Sequence, residues 1–229
     1  MGELLSIGIV PVVLTLLAFQ VGQLCQGKFK SPLCNPTLIA VILVAVVLTL
    51  TGMDTGTYDA GTKSISWLMT PATISLAIPM YEQFQLLRRN LKAILAGVAA
   101  GAAACIVMML GLGLLFGFNE ALIVSLMPKS VTTAIGVSLS ELFGGMSAVT
   151  TAAIIVTGIF ANMMGTTFCR LFRITDPVAQ GVAFGTAGHV IGTAKANELS
   201  PLTGAVSSLS LVAAGLLTAV LFPVLTGVL

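Results

Sequence analysis

The sequence predicts an all-α integral membrane protein with about six spanning helices and two re-entrant, broken hairpins, arranged as an inverted repeat like that of secondary transporters. Only 8% of its 229 residues are charged, against roughly 25% in soluble domains. Hydrophobic residues make up 57% of the chain, and several apolar runs reach the ~20 residues that a bilayer-crossing helix needs. Two further stretches place proline, glycine and hydroxyl side chains within this apolar chain, and they predict the broken segments.

Six apolar runs predict the spanning helices. The first ten residues lack the basic start of a cleavable signal and include Glu3, so we expect the first helix to be retained. The net charge of +2 is too small to suggest a nucleic-acid partner. The predicted spans are 4–25, 36–53, 64–87, 92–117, 147–169 and 202–228.

Basic loop residues predict the side of the membrane on which each loop lies. Lysine and arginine accumulate on the cytoplasmic side of membrane proteins. An external N-terminus therefore places the loops 26–35 and 88–92 inside and the loops 54–63 and 118–120 outside. The basic residues concerned are Lys28, Lys30, Arg88, Arg89, Lys92, Arg170 and Arg173.

The segment 119–146 is predicted to enter the membrane and return on the same side. If it crossed once, Arg170 and Arg173 would lie outside, apart from the other basic residues. Two arms of about 12 residues would each be roughly 18 Å long, about half of the hydrocarbon depth. Pro128 lies where the arms would meet. The alternative is one crossing helix that is broken at the proline.

Two stretches of the second half match without a gap at an offset of 57 residues. They are "ELFGGMSAVTTAAIIVTGIF" at 141–160 and "ELSPLTGAVSSLSLVAAGLL" at 198–217. Both begin with an acid and carry a pair of hydroxyl side chains at the same place. We interpret each as part of a duplicated unit, in which a broken hairpin precedes one span.

A unit with an odd number of crossings is inverted relative to its copy, so the second hairpin, 176–201, is expected to open to the cytoplasm. Its tip falls near "FGTAGHVIGTAKA" at 184–196. Two hairpins from opposite faces bring their tips together near the midplane, where transporters with inverted repeats bind their substrates. The expected domains are 1–117 as scaffold and oligomer contact, with 70–79 as a further candidate for the site, and 118–229 as a transport core of two inverted units, 119–172 and 176–229.

The hairpin tips carry the candidate substrate-binding residues. The helix that starts at each tip directs N–H groups and a positive dipole end at the midplane, which favours anions. Lys129 adds a full positive charge, and charge-assisted hydrogen bonds suit a small carboxylate. The candidates are Lys129, Ser130, Thr132 and Thr133 on the first tip, and Thr186, His189 and Thr193 on the second.

These residues also have a purely structural interpretation. Pro128 can simply kink a helix, and hydroxyl side chains are common at close helix contacts. Lys129 can extend along the protein toward water. His189 is the only histidine, and it can hold the backbone between Gly188 and Gly192.

Proton coupling has three candidate residues, His189, Glu141 and Glu198. Imidazole titrates near neutral pH, and one proton carried with a monovalent anion would make uptake electroneutral. The two glutamates occupy equivalent repeat positions. Their alternative role is at the hairpin ends near the surface, where Glu198 can pair with Lys195.

No motif of an enzyme or a metal site is present. The sequence lacks GxSxG, HExxH, CxxC and Walker patterns, and His189 has no second histidine or cysteine nearby. We therefore expect no enzymatic activity, no metal and no cofactor. Cys25 and Cys34 flank one loop, where free thiols on the reducing side are the expectation and a disulfide is the alternative.

Three motifs resemble the LrgB/CidB family of membrane proteins. They are "PMYEQ" at 79–83, "PKSVTTAIG" at 128–136 and "GTAGHVIGTAKANEL" at 185–199. The likeness covers essentially the whole chain, including "NPTLIAV" at 35–41 and "GAVSSLSLV" at 204–212. One departure is that Ala134 stands where the family's PKSVTTPIA pattern has a second proline.

The resemblance implies a bacterial inner-membrane protein and two competing functions. One is holin- or antiholin-like control of murein hydrolase export and cell lysis. The other is transport of small monocarboxylates, because plastid relatives move glycolate and glycerate and bacterial relatives are linked to pyruvate uptake. The resemblance also implies a small LrgA/CidA-type membrane partner, and we expect a homo-oligomer. Broken hairpins with polar, cationic tips favour transport, since a holin has no evident use for them.

Overall fold

The computed structural model describes residues 9–29, 34–75 and 77–227, and within them it confirms the all-α fold class. Four of its helices are long and apolar enough to cross a bilayer, and a fifth apolar helix is shorter. The helices are α1 Ile9–Phe29, α2 Pro36–Thr51, α3 Thr55–Trp67, α4 Met69–Ser75, α5 Ala77–Glu82, α6 Phe84–Leu115, α7 Glu120–Leu126, α8 Thr133–Leu142, α9 Ser147–Leu171, α10 Pro177–Leu199 and α11 Pro201–Thr226. The candidate spans are α1, α6, α9 and α11.

The chain forms two compact units, Met1–Ser75 and Leu76–Leu229. In the first unit, α1 packs against α2 and α3. A Cβ added at Gly22 would lie 2.6 Å from the carbonyl oxygen of Pro36, so only glycine permits this approach of the two helices. Asn35 begins α2 by accepting hydrogen bonds from the N–H groups of Thr37 and Leu38.

The predicted span 64–87 is wrong, because the chain there is divided among the end of α3, α4, α5 and the start of α6. Pro71 lies in the first turn of α4, where its missing N–H costs nothing but prevents continuation of a preceding helix. The N–H of Leu68 turns back to the carbonyl of Ile65 at 3.0 Å, which ends α3. The mean hydropathy of residues 64–87 does not reveal these breaks.

The other predicted spans correspond to helices with shifted ends. The span predicted at 92–117 begins earlier, at Phe84, and α2 has 16 residues. The predicted spans 147–169 and 202–228 correspond to α9 and α11. Residues 4–8, Lys30 and residue 228 lie outside the part of the chain that the structure describes.

In the second unit, α6 is the element against which the broken segments pack. Its 32 residues make a helix about 48 Å long, more than the ~30 Å of hydrocarbon. It contacts α7, α10 and α11. One stripe of α6 is buried, with members close to four residues apart as an α-helix requires: Leu87, Ile94, Val98, Ala102, Ile106, Leu110 and Gly113.

α10 reverses at His189 and forms a hairpin of two arms, 177–188 and 190–199. The backbone at His189 has φ 42° and ψ −138°, which no α-helix contains. A Cβ added at Gly192 would lie 2.6 Å from the carbonyl oxygen of Phe184, whereas eight residues of straight helix span about 12 Å. Asp176 and Ser200, which cap its two ends, therefore lie at the same end of the unit.

α11 contacts both arms of this hairpin. Gly185 of the first arm lies against the backbone of Ser207. Thr193 of the second arm places its Oγ1 2.8 Å from the Oγ of the same serine. One position of α11 can meet both residues only if the arms lie side by side.

The segment 119–146 also reverses. The N–H of Met146 donates to the Oγ of Ser125 at 2.7 Å, although 21 residues separate them. One crossing helix would hold these residues about 30 Å apart. A Cβ added at Gly136 of α8 would lie 3.2 Å from the carbonyl oxygen of Pro128, which brings the second arm back to the turn.

The two hairpins open at opposite ends of α6. The first arm α7 runs antiparallel to α6, because Ile123 of α7 meets Gly113, whereas Ser130 in the turn after α7 meets the earlier residue Cys105. The first arm of α10 runs parallel to α6 for the converse reason. The contacting pairs are Gly113 with Ile123, Cys105 with Ser130, Gly97 with Val182, and Gly101 with Thr186.

Contacts between the two repeats follow the same 57-residue offset. Gly158 of α9 lies against His189 and Ile191, with a Cβ there placed 2.5 Å from His189 Nε2. Gly215 of α11, its counterpart in the repeat, lies against Ile135 at 2.9 Å. Each spanning helix therefore presents a glycine to the hairpin of the other repeat, as a pseudo-two-fold relation requires.

The expected domains, 1–117 and 118–229, assign roles, whereas the compact units of the structure describe packing. The second compact unit begins at Leu76 and includes α5 and α6 with both hairpins. The buried stripe of α6 packs on α7, α10 and α11, which joins this helix to both hairpins. The division of roles between scaffold and transport core stays a prediction.

Candidate functional site

The first tip is a non-helical turn between α7 and α8. Pro128 has no N–H, so α7 cannot continue through it. Tight turns replace the helical pattern: the N–H of Lys129 bonds to the carbonyl of Leu126 at 3.3 Å, and that of Val131 bonds to Pro128 at 3.3 Å. Ser130 is buried in this turn, and Lys129 is half-buried.

The second tip is the reversal at His189. Its imidazole is buried, and its Nε2 lies 2.9 Å from the carbonyl oxygen of Ile154 on α9. The Oγ1 of Thr193 donates to the carbonyl of His189 at 2.8 Å, which satisfies a backbone group freed by the reversal. The contact with Ile154 holds the tip against α9, and the contact of Thr193 with Ser207 holds the second arm against α11.

Both tips meet against the middle of α6. The Oγ of Ser130 donates to the Sγ of Cys105 at 3.6 Å, and a Cβ added at Gly101 would lie 2.8 Å from Cγ2 of Thr186. A cavity of about 10 Å³ separates the tips and is lined by Ser130, Thr186 and Thr218 among others. That volume is close to the least that one water requires.

Thr186 is a buried hydroxyl for which the described residues supply no hydrogen-bond partner. The same holds for the hydroxyls of Ser208 and Ser210 on α11. A buried hydroxyl without a partner is costly, and a water in the small cavity would satisfy that of Thr186, since Thr186 lines it.

A larger cavity of about 340 Å³ lies beside the first tip and the first arm of α10. Its volume is at the lower end of the range for small-molecule sites. Residues from α6, the first tip, α9, the 172–176 connection and α10 form its wall: Cys105, Met108, Lys129, Ser130, Thr157, Phe160, Ala161, Gly165, Phe168, Cys169, Ile174, Ala183, Phe184 and Ala187.

Lys129 is the only charged residue in that lining. Among the described residues the one ion pair within 4.0 Å joins Lys195 to Glu198, so no described carboxylate neutralises Lys129. A half-buried ammonium without a protein counter-ion attracts an anion strongly, since the surrounding apolar wall screens the charge little.

The structure brings together three of the predicted substrate-binding residues. Lys129 and Ser130 line the larger cavity, and Ser130 and Thr186 line the smaller one. Thr132 directly precedes α8 and Thr133 is exposed, and neither lines either cavity.

His189 and Thr193 are buried at helix contacts and line neither cavity. Glu141 is exposed and accepts a hydrogen bond from Ser147 at 2.5 Å, and Glu198 is exposed and pairs with Lys195 at 2.6 Å. None of the three coupling candidates lines either cavity. No described residue of 70–79 lines either one.

Sequence reasoning missed the residues that α6 and α9 contribute. Cys105 and Thr157 are not among the predicted substrate-binding residues, yet both line the larger cavity. Their positions in long apolar helices carry no local signal. The described residues also contain no group of three His, Cys, Asp or Glu side chains that could hold a metal ion.

Comparison with known proteins shows the family of this chain. The family model described as "LrgB-like family" matches residues 15–228. The chain is 32% identical over 214 residues to the protein named "Holin-like protein CidB" in two strains of Staphylococcus epidermidis, covering 93% of each chain. It is 34% identical over 212 residues to YwbG of Bacillus subtilis, covering 93% of this chain and 94% of that protein. No solved structure matches.

These relatives match along nearly the whole chain, so the likeness includes both hairpins and both cavities. They are bacterial proteins, and this chain is accordingly a multi-pass membrane protein of bacterial type. The protein belongs to the LrgB family.

Proposed function

We propose that this protein is a secondary transporter of small monocarboxylates. The observation that carries the proposal is the unneutralised Lys129 at the turn of a broken helix, facing a cavity of about 340 Å³. A carboxylate bound there receives a charge-assisted hydrogen bond in a largely apolar setting, which is the strong kind. The glycolate, glycerate and pyruvate class implied by the family resemblance is small enough for this volume.

The opposed hairpins support the same proposal. Carriers with inverted repeats bind substrate where interrupted helices meet near the midplane, and they alternate access by moving one repeat against the other. The tips here meet at the middle of α6, and each hairpin contacts a glycine of the other repeat's spanning helix. Such tips give a binding site that two related conformations can expose in turn.

A second candidate is a holin-like role, which is favoured by the name of the Staphylococcus epidermidis relatives. A holin-like protein permeabilises the membrane by self-association, and it would release solutes regardless of their charge. The two candidates therefore differ in what crosses a bilayer that contains the protein.

Reconstitution into proteoliposomes separates them. We expect saturable uptake of labelled pyruvate, glycolate or glycerate, stimulated by an inward proton gradient, without release of an entrapped large dextran. Uptake that stays at the level of empty liposomes, together with dextran release, would support the holin-like role instead. Parallel vesicles with an added LrgA/CidA-type protein test the proposed partner, which would raise the uptake rate.

A further inference from the structure

The two cavities at the tips are related by the internal repeat. The 57-residue offset at which the two stretches of sequence match also pairs five residues of the larger cavity with five residues of the smaller one. Each cavity therefore takes equivalent parts of one spanning helix and of both hairpins, as two sites related by a pseudo-two-fold axis would. The pairs, with the residue of the larger cavity first, are Lys129 and Thr186, Thr157 and Ala214, Ala161 and Thr218, Phe184 and Met127, and Ala187 and Ser130.

The two related cavities differ in how far they are open. The larger one, about 340 Å³, extends from the first tip past Gly165 to Cys169 and Ile174, where α9 ends. The smaller one, about 10 Å³, has room for about one water. Beyond it, where α6 continues to Leu110, the helices pack closely in an apolar cluster.

Phe222 of α11 is the largest completely buried side chain of that cluster. Its ring packs on that of Phe143, with the ring centroids 5.5 Å apart. Ile106 and Met127 belong both to the cluster and to the wall of the smaller cavity, so the cluster directly adjoins the cavity. The repeat counterpart of Phe222 is Gly165, which lines the larger cavity and has no side chain that could close it.

We infer that the smaller cavity is the second half of the substrate site, closed in this conformation, and that Phe222 seals its route to the opposite face of the membrane. The inference rests on the proposed function, because a carrier that alternates access needs a closed route related to the open one by the symmetry of its repeats. The ligand of this half is the same small carboxylate. It enters when α11 moves away from the first hairpin and Phe222 leaves the cluster.

Thr186 is the residue of this half that would contact the ligand. Its side chain is buried, and its hydroxyl has no hydrogen-bond partner among the described residues. A hydroxyl in that state has lost its bonds to water without replacement, and an oxygen of glycolate or pyruvate in the opened cavity would replace them. Ser130, next to Lys129 in the first tip, lines both cavities, so one tip serves both halves of the site.

Single cysteines at equivalent positions test whether the two halves open to opposite faces. In a cysteine-free background, Ala161→Cys places a thiol in the larger cavity and Thr218→Cys places one in the smaller cavity. A membrane-impermeant thiol reagent is applied to intact cells and to inside-out vesicles. We expect the two cysteines to react from opposite faces, with Thr218→Cys at least about tenfold slower, because the minor conformation of such an equilibrium is at most about a tenth populated. Reaction of both from the same face would overturn the inference.

Removal of the Phe222 ring tests the seal. Phe222→Ala should raise the reaction rate of Thr218→Cys at least about tenfold, since the packing of the ring stabilises only the closed conformation. Leu216→Ala removes a large side chain from an exposed position of the same helix, and it should leave the rate unchanged. Phe222→Leu, a smaller change, should give an intermediate rate, and it replaces Phe222→Ala if that variant does not fold. An unchanged rate in the folded Phe222 variants would show that this ring does not close the route.

Protection by pyruvate tests whether the smaller cavity binds the substrate. Pyruvate should slow the reaction of Thr218→Cys in the Phe222→Ala background, and Thr186→Val, which removes the hydroxyl but keeps the shape of the side chain, should weaken this protection several-fold. If the cysteines react from opposite faces and pyruvate protects, but proteoliposomes take up no acid, the inference stands and the proposed transport fails. If uptake occurs but pyruvate does not protect Thr218→Cys, transport stands and the inference fails.

Discussion

Lys129 is the residue on which the chemistry of the cavity depends most. It lies in the turn that Pro128 forces between α7 and α8, half-buried and without a described carboxylate partner. Lys195, the other lysine near a hairpin, is paired with Glu198 at 2.6 Å and lies outside the cavity. Two lysines of the same compact unit therefore differ in whether their charge is already neutralised.

Replacement of Lys129 by alanine should weaken anion binding by one to two orders of magnitude. The reason is the loss of a charge-assisted hydrogen bond, worth about 1.5–3 kcal/mol. The concentration dependence of uptake in proteoliposomes measures the effect. Lys195→Ala is the control and should behave as wild type. Unchanged affinity in Lys129→Ala would remove Lys129 from the site.

His189 is a predicted substrate-binding residue, but its contacts in the structure are those of a residue that holds the hairpin turn in place. Its side chain is buried against α9, with Nε2 2.9 Å from the carbonyl of Ile154, and its backbone has φ 42°. Neither cavity includes it. This geometry favours the structural interpretation over a role in proton transfer.

We expect His189→Ala to lower the free energy of unfolding by about 1 kcal/mol, because helix-to-helix hydrogen bonds in membranes contribute about that much. His189→Gln, which keeps a donor, should lose less. Thermal unfolding in detergent gives the stability, and uptake driven by a proton gradient gives the function. His189→Gln should still accumulate substrate. If it folds and binds anion but no longer accumulates it, His189 carries the coupled proton after all.

At the scale of helices, glycine decides how closely the hairpins approach the spans. Gly158 faces His189 and Ile191, while Gly215 faces only the terminal carbon of Ile135. The side chain of Ile135 can move, whereas the imidazole of His189 is held by its hydrogen bond to Ile154. The two repeat-related glycines therefore differ in how much an added methyl group costs.

Gly158→Ala should destabilise the protein by about 1–3 kcal/mol, the usual cost of overpacking. Its Cβ would lie 2.5 Å from His189 Nε2. Gly215→Ala should cost less. Gly111→Ala on α6 is the control, because nothing lies within 4 Å of an added Cβ there and alanine favours the helix. Thermal unfolding of the three variants tests the order, and equal stability of Gly158→Ala and Gly111→Ala would contradict the tip contact.

At the scale of the whole second unit, the directions of the helices decide which segments of the chain lie at the same end of the unit. α9 runs antiparallel to the first arm of α10, since Gly165 contacts Phe184 while Gly188 contacts Ala161. The end of α9 therefore lies at the same end of the unit as the start of α6. That places Arg170 and Arg173 with Arg88 and Arg89, as the distribution of basic residues also requires.

Single-cysteine labelling in intact cells should find two sets of positions in a cysteine-free background. Cysteines at Arg88, Arg173 and Glu198 should react only from the cytoplasmic side, and cysteines at Asn119 and Gly144 only from outside. The physical reason is that the 176–201 hairpin and the 119–146 hairpin open at opposite ends of α6. Opposite accessibility of positions 88 and 173 would rule out this topology.

Much of the fold was predictable from local sequence. Apolar runs of spanning length predicted α1, α6, α9 and α11, and the proline at 128 and the Gly/Thr-rich run around His189 predicted the two breaks. The segment 64–87 was mispredicted because its apolar composition resembles a span while its prolines prevent one. The position of Lys129 and Ser130 at the first tip was predictable for a similar reason, because a charge and a hydroxyl within an apolar segment accompany the helix break at Pro128.

The sequence by itself determined the membrane character and the two interruptions, because hydropathy, proline and charge act through the chain's immediate neighbourhood. Only the tertiary structure decided which polar side chains share a cavity. Thr132, Thr133, His189 and Thr193 are as polar as Lys129 and Ser130, yet they line neither cavity. The direction of each side chain depends on the backbone conformation of the hairpin turn. It also depends on the faces of α6, α9 and α11 against which the hairpin packs. Those contacts join residues far apart in the chain, so no local pattern records them.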